Sequence, residues 1–251
     1  MSDLVLVSDD GPVRTVRLNR PDKKNALTVP MYVALVAALD GAATSAATRV
    51  VVFAGAPGAF CAGNDLQDFL DATASAEGLA PPLIAFLYAL ARADKPLVAA
   101  VGGLAIGIGT TMLLHCDHVV AGSDARFVTP FVHLGLVPEA GSSLLAPRRL
   151  GHARAFALLA MGRPLDAAGA LAAGLVNTVV APGEVEAEAI KAAREIAALP
   201  VEALAATRRL LRGSPEETIR RIDAEDAEFK RRLASPEAKT AFEAFLARRK
   251  S

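Results

Sequence analysis

The stretch Pro96 to Asp117, PLVAAVGGLAIGIGTTMLLHCD, constrains this chain more than any other. A strand-like apolar run, Leu97 to Val101, opens it. Glycines follow at 102, 103, 107 and 109, and Met112 to Leu114 read as helical. The pattern predicts a buried strand passing through a glycine-rich turn into a buried helix. Without a Cβ, such a turn lets backbone approach a ligand closely. The helix start adds unpaired N–H groups and the positive end of a dipole. That combination suits an oxygen carrying negative charge. An uncharged run of this length also admits a membrane span, but the glycines and the Thr110–Thr111 pair fit a packed core better. A dinucleotide fingerprint requires glycine where Met112 stands, and a P-loop requires a Gly-Lys-Ser/Thr ending that does not occur. What remains is an anion-holding turn of another kind, or a plain packing turn.

A chain of 251 residues that is 53% hydrophobic and 22% charged supports one large core, alone or with an appendage. Lys+Arg and Asp+Glu balance at 27 each, which argues against a general nucleic-acid or membrane-surface role. Cys61 and Cys116 lie in apolar surroundings and read as core thiols in a reducing compartment. The opening MSDLVLVSDDG has no basic segment before its apolar run, so a signal peptide is not expected and a cytoplasmic protein is.

Leu4 to Val7 and the alternating Val13 to Leu18 flank Asp10-Gly11 and read as a hairpin. Thr28 reads as the N-cap of a helix bearing Tyr32, Leu35, Val36 and Leu39. Arg49 to Ala54 reads as a strand buried on both faces. A helix is expected over Pro82 to Arg92, short strands at His118 to Ala121 and Arg126 to Thr129, and a loop with helical pieces from Pro130 to Ser143. Helices follow over 143–150, 152–161 and 166–173, then a strand at Val176 to Val180. Beyond Pro182 helix formers dominate. Ser214-Pro215-Glu216-Glu217 reads as a capping box, with Ile219, Ile222, Phe229 and Leu233 as an apolar stripe behind it. Ser235-Pro236 opens a last helix. Strands alternating with helices and then a run of helices imply an α/β core, residues 1–195, and a helical C-terminal region, residues 196–251, expected to serve oligomerisation.

Two glycine-bearing turns follow buried strands: Cys61-Ala62-Gly63-Asn64-Asp65 and Ile106-Gly107-Ile108-Gly109. If each aims one N–H into a shared space, the pair forms an oxyanion hole; otherwise they are ordinary strand-to-helix turns. Glu139 reads on its own as an acid near a helix N-terminus, favoured there by the dipole. Asp65 and Asp117 read as structural, capping or ending helices. His115, His118, His133 and His152 form no metal-ligand spacing, and no metal is expected. His133 reads as a packed loop residue, with lining of a pocket as the alternative. No Gly-x-Ser-x-Gly elbow supports serine hydrolysis.

The segments LNRPDKKNAL (18–27), FCAGNDLQDF (60–69), GLAIGIGTTMLLHCD (103–117) and FVHLGLVPEAGSSLLAPRRLG (131–151) together resemble the crotonase, or enoyl-CoA hydratase/isomerase, superfamily. The four motifs stand in that family's order. The resemblance implies a spiral of ββα units with a helical C-terminal extension, an acyl-CoA thioester as substrate, no cofactor, and a homotrimer or dimer of trimers. It also implies that the backbone N–H groups of Asn64 and Ile108 hold the thioester oxygen. Ile108 replaces the glycine usual in hydratases, which a backbone donor tolerates.

Hydratases of the family use two glutamates to activate water and deliver a proton. Their positions here fall on Thr111 and Phe131, which do neither. One carboxylate remains in the right loop, Glu139, similar in placement to the acid of the Δ3,Δ2-enoyl-CoA isomerase branch. A lone acid suits isomerisation, removing a proton at C2 and returning it at C4, and an apolar pocket should raise its pKa. For the coenzyme the resemblance implies contacts from Lys24, Ala26, Ala62, Asn64, Asp65 and Leu66, with Lys24 meeting a phosphate as a point charge. Phe131 is expected to line the pocket and exclude water. Phe245, with Arg248, Arg249 and Lys250, matches a region that often closes over the coenzyme, or is simply the solvated basic end of a helix. The reading is thus an enoyl-CoA isomerase. A hydratase or other enolate-forming enzyme on the same scaffold and a silent acyl-CoA-binding subunit are the alternatives.

Overall fold

The computed structural model describes residues 3–65 and 79–250, of which 245–250 by backbone alone. The expected hairpin forms from β1 (Val5–Asp10) and β2 (Val13–Leu18), antiparallel, with Asp10 opposite Val13. Strand β2 continues in parallel into β3 (Val50–Gly55), β4 (Leu97–Val101), β6 (His118–Gly122) and β9 (Thr178–Val180), giving the order β1-β2-β3-β4-β6-β9. Successive residues of these strands point to opposite faces. Val51, Phe53, Leu97, Ala99 and Val101 enter the main core beneath α1 (Val29–Thr44) and α2 (Pro81–Arg92). Val50, Val52, Ala54, Val98 and Ala100 meet Val185, Ala189, Ala193 and Ala197 on the other face. A strand buried on both sides reads as a continuous apolar run for this reason.

The central stretch departs from the expected strand, turn and helix. After β4 the chain turns at Gly102-Gly103 into a further strand, β5 (Leu104–Ile106). It turns again at Gly107 into the one-turn helix α3 (Ile108–Thr111), which tightens to a 3-10 turn over Met112–His115. Strand β5 pairs in parallel with β7 (Arg126–Val128), and β7 pairs antiparallel with β8 (Leu165–Asp166), forming a second, small sheet. A bridge from Cys61 to Ala105 and another from Leu27 to Asn64 extend this pairing. Successive passes thus place one strand in the large sheet and the next short one in the small sheet, which is the expected ββα spiral. With the run broken this way, no helix among the described residues is long and apolar enough to cross a membrane.

Helices α4 (Ser142–Leu150), α5 (His152–Ala155) and α6 (Ala167–Ala173) follow. The expected 152–161 helix is α-helical only to Ala155 and widens to π-helix over Phe156–Ala160. Then come α7 (Val185–Ala198), α8 (Val201–Arg212), α9 (Pro215–Leu233) and α10 (Pro236–Lys250). Helix α7 runs across residues 195–196 and packs on the large sheet. Three local expectations change. Thr28 stands at the N-cap of α1, but its hydroxyl makes no cap bond. Ser214 Oγ caps α9 through the Glu216 N–H at 3.2 Å, while Glu217 turns away to Arg148 at 2.7 Å. Asp117 follows a 3-10 turn and accepts the Leu97 N–H and Arg208 Nε, each at 2.8 Å, tying the start of β4 to α8.

Candidate active site

The two glycine turns abut. A Cβ at Gly63 would lie 3.1 Å from the Ile106 carbonyl oxygen, and one at Gly107 would lie 4.0 Å from Gly63 Cα. Both residues have positive φ, 89° and 55°, which favours glycine at each. Gly109 packs closer still, its absent Cβ falling 2.7 Å from the Cys61 carbonyl oxygen.

Bridge parity aims the first donor. Leu27 gives its N–H to the Gly63 carbonyl at 2.8 Å and accepts from the Asp65 N–H at 2.7 Å. In a parallel bridge the residue between those two, Asn64, turns its own N–H the opposite way. The second donor is free because Ile108 is the first residue of α3. Among the described residues neither the Asn64 nor the Ile108 N–H meets an acceptor.

Glu139 meets the helix that leaves the second turn. Its side chain is buried, and Oε1 accepts a hydrogen bond from Thr111 Oγ1 at 2.6 Å. Oε2 has no partner among the described residues. Burial pushes the carboxyl up to about 8, against the Thr111 bond that lowers it; the charge of Glu225 adds to the rise. Burial pushes the Cys61 thiol up to about 12, with the charge of Glu139 adding to the rise. With its pKa raised, the ionised form of this carboxyl is a stronger base than an ordinary carboxylate and can take a proton from carbon and return it, and two free amides can hold an oxygen that becomes negative.

The backbone around Glu139 is unusual. Ala140 has φ 64°, a left-handed conformation that costs a residue with a Cβ about 1–2 kcal/mol. Buried polar groups hold it there. His115 Nε2 lies 2.7 Å from the Ala140 carbonyl. Burial lowers this imidazole to about 4, so it is neutral and donates from Nε2. Glu225 of α9 accepts from the Gly141 N–H at 2.6 Å and the Ser143 N–H at 2.9 Å.

The residues expected to meet a coenzyme fall into two groups. Lys24, Ala26, Ala62, Asn64 and Asp65 come together: the Ala62 N–H donates to the Lys24 carbonyl at 3.0 Å, and Arg20 holds both Asp65, at 2.6 Å, and the Ala26 carbonyl. Asp65 thus meets an arginine; the helix it was expected to cap, and Leu66, lie outside the described residues, as does the Phe245 side chain. Phe131 is buried, and its carbonyl accepts from Leu134 and Leu136 in the loop before Glu139. His133 is exposed on the Met161 carbonyl. Cys61 and Cys116 are buried free thiols. Among the described residues no three His, Cys, Asp or Glu side chains gather as a metal ion would need.

Sequence reasoning missed His115, Glu225 and the partnership of Thr111 with Glu139. Of these only Glu225 left a trace, as a charged residue in step with Ile222 and Phe229 on the buried stripe of α9.

Residues 9–251 match the family model described as enoyl-CoA hydratase/isomerase. The chain is 36% identical over 250 residues to enoyl-CoA delta isomerase 2 of Rattus norvegicus, covering 98% of this chain but only 64% of that protein's length. It is 35% identical over 259 residues to a probable enoyl-CoA hydratase of Rhizobium meliloti (strain 1021), covering 99% of this chain and 97% of the relative. The crystal structure of an enoyl-CoA hydratase/isomerase from Pseudoalteromonas atlantica T6c superposes with a TM-score of 0.92 at 41% identity, covering 98% of each chain. With the ββα spiral and the paired glycine turns, these matches place the chain in the enoyl-CoA hydratase/isomerase, or crotonase, family.

Proposed function

We propose that this chain moves the double bond of an enoyl-CoA from position 3 to position 2. Glu139 acts as the single acid/base, and the N–H groups of Asn64 and Ile108 form the oxyanion hole. The observation that carries the reading is one buried carboxyl with an oxygen unpartnered among the described residues, bonded to the threonine that stands where hydratases resembling this chain have the first of their two glutamates. The ionised carboxylate removes a proton from C2 of the 3-enoyl thioester. The electron pair spreads over the dienolate to the thioester oxygen, which the two amides hold. Glu139 returns the proton at C4, leaving the 2-enoyl thioester and the starting carboxylate. No water is consumed and no cofactor takes part. The other buried carboxylate nearby, Glu225, is engaged by the Gly141 N–H and by the Ser143 N–H and hydroxyl, which commits it to holding the loop.

Lys24, beside Ala62, meets a coenzyme phosphate, and the backbone of Ala26, Ala62, Asn64 and Asp65 lines the pantetheine. A homotrimer or dimer of trimers goes with this reading. Its contacts would cover the outward Leu210 and Leu211 of α8, which are 85% and 83% exposed.

The test is a 3-enoyl-CoA mixed with the protein while conjugated-enoyl absorbance is followed. Glu139→Gln should lower kcat by about 100- to 10,000-fold. A folded variant with near-normal turnover, or a parent enzyme that hydrates 2-enoyl-CoA and does not isomerise, overturns the reading. Tight coenzyme binding with neither activity points to a silent binding subunit.

A further inference from the structure

We infer that Glu225 is the positioning residue of the Glu139 loop, reaching it from the C-terminal helices; this rests on the acid/base reading above. Glu225 lies 84 residues beyond Gly141 in sequence, on the buried stripe of α9. One carboxylate oxygen takes the Gly141 N–H at 2.6 Å, and the other takes the Ser143 N–H at 2.9 Å and the Ser143 hydroxyl at 2.5 Å. All three partners are donors, so the ionised form fits the site. Helix α9 also presses on the loop directly, since a Cβ at Gly141 would lie 3.0 Å from Thr218 Cγ2.

A left-handed residue with a Cβ, such as Ala140, persists only where its neighbours over-determine it. Here His115 fixes the Ala140 carbonyl and Glu225 fixes the next amide and the one at Ser143. The peptide joining Ala140 to Gly141 is thus held at both its oxygen and its nitrogen, which fixes the backbone just after Glu139 while its side chain is held by Thr111. The C-terminal helices are therefore part of the active-site scaffold. Glu225 touches no reacting atom.

Two groups bear on Glu139 besides its burial: Thr111 from α3 and the charge of Glu225 from α9, with Arg221 acting on Glu225 in turn; Glu139 itself acts on Cys61 of the first turn. Only the Glu225 charge changes in Glu225→Gln.

The full-length Glu225→Gln enzyme should lose about 100-fold in kcat, as small misplacements of a reacting group do, with KM within about twofold of the parent. Its pH–rate limb should move to lower pH, because a like charge facing the acid is gone. Ser143→Ala removes one of the three bonds and should cost about threefold in kcat, giving a readout should the first variant not fold. Glu217→Gln, on the same helix but paired with surface Arg148, should keep parental kinetics. A folded Glu225→Gln enzyme with parental kcat and an unmoved limb overturns the inference. So does an equal loss in Glu217→Gln, or an unfolded Glu225→Gln alongside a fully active Ser143→Ala. Amide hydrogen exchange separates the two readings. If Gly141 and Ser143 exchange alike in parent and Glu225→Gln, the clamp is absent; if Glu139→Gln stays active, the acid assignment alone has failed.

Discussion

Thr111 Oγ1 and Glu139 Oε1 lie 2.6 Å apart in the protein interior, 28 residues apart in sequence. The hydroxyl stabilises the ionised carboxylate and opposes the upward push of burial. Thr111→Val keeps the branched shape and removes the donor. Its pH–rate limb should move above about 8, with kcat at neutral pH down about tenfold, the worth of one hydrogen bond to a charged group. Rates measured across the pH range with a 3-enoyl-CoA check this, and a limb that stays in place means the threonine is packing alone.

The same carboxyl makes stability depend on pH. Its pKa in the folded protein is raised from 4.5 to about 8, so the fold retains a proton that the unfolded chain releases. The contribution is fully present below pH 4.5 and is lost as pH rises through about 8. At about 1.4 kcal/mol per pKa unit, the loss amounts to a few kcal/mol. Glu139→Gln should therefore gain stability relative to the parent between pH 5 and pH 8. Urea unfolding at the two values measures it, and parallel curves for the two proteins would remove the raised pKa from the account.

Gly109 offers a steric test of the paired turns. Its φ is ordinary for a helix, so alanine there is excluded only by Cys61, whose carbonyl oxygen and Cβ would lie 2.7 Å and 2.8 Å away. Overpacking of this kind costs about 1–3 kcal/mol. Because the clash drives the Asn64 turn away from the start of α3, Gly109→Ala should also lower kcat by about tenfold or more. Thermal unfolding and steady-state rates read the two effects separately. A destabilised variant with full activity would mean the two amides do not act together.

Much of the scaffold was readable because its strands obey period two and its helices end at prolines and glycines. Val13 to Leu18 alternates and forms β2 over those residues; Val50 to Ala54 is apolar throughout and lies between two packed layers. Strand β5 was not readable: three residues between glycines carry no period, and its partner β7 lies 22 residues further on. Glu139 and the two turns were found through the resemblance of their motifs, whereas spacing alone left them as ordinary turns and a helix-end acid. His115 could not be assigned because its partner is a main-chain oxygen, which every residue carries. The Ser214 box looked complete in sequence, but Arg148, from a distant helix, drew Glu217 away.

The pairing of Leu27 with Asn64 has a consequence for how relatives of this chain can vary. Both proposed oxygen-holding donors are main-chain groups, so that role does not depend on the side chains at 64 and 108, which serve packing and the bond from the Tyr32 hydroxyl to Asn64 Oδ1. It does depend on chain length between Cys61 and Asp65. One residue gained or lost there would reverse the alternation, presenting a carbonyl where an amide hydrogen is required and repelling the very charge the reaction creates.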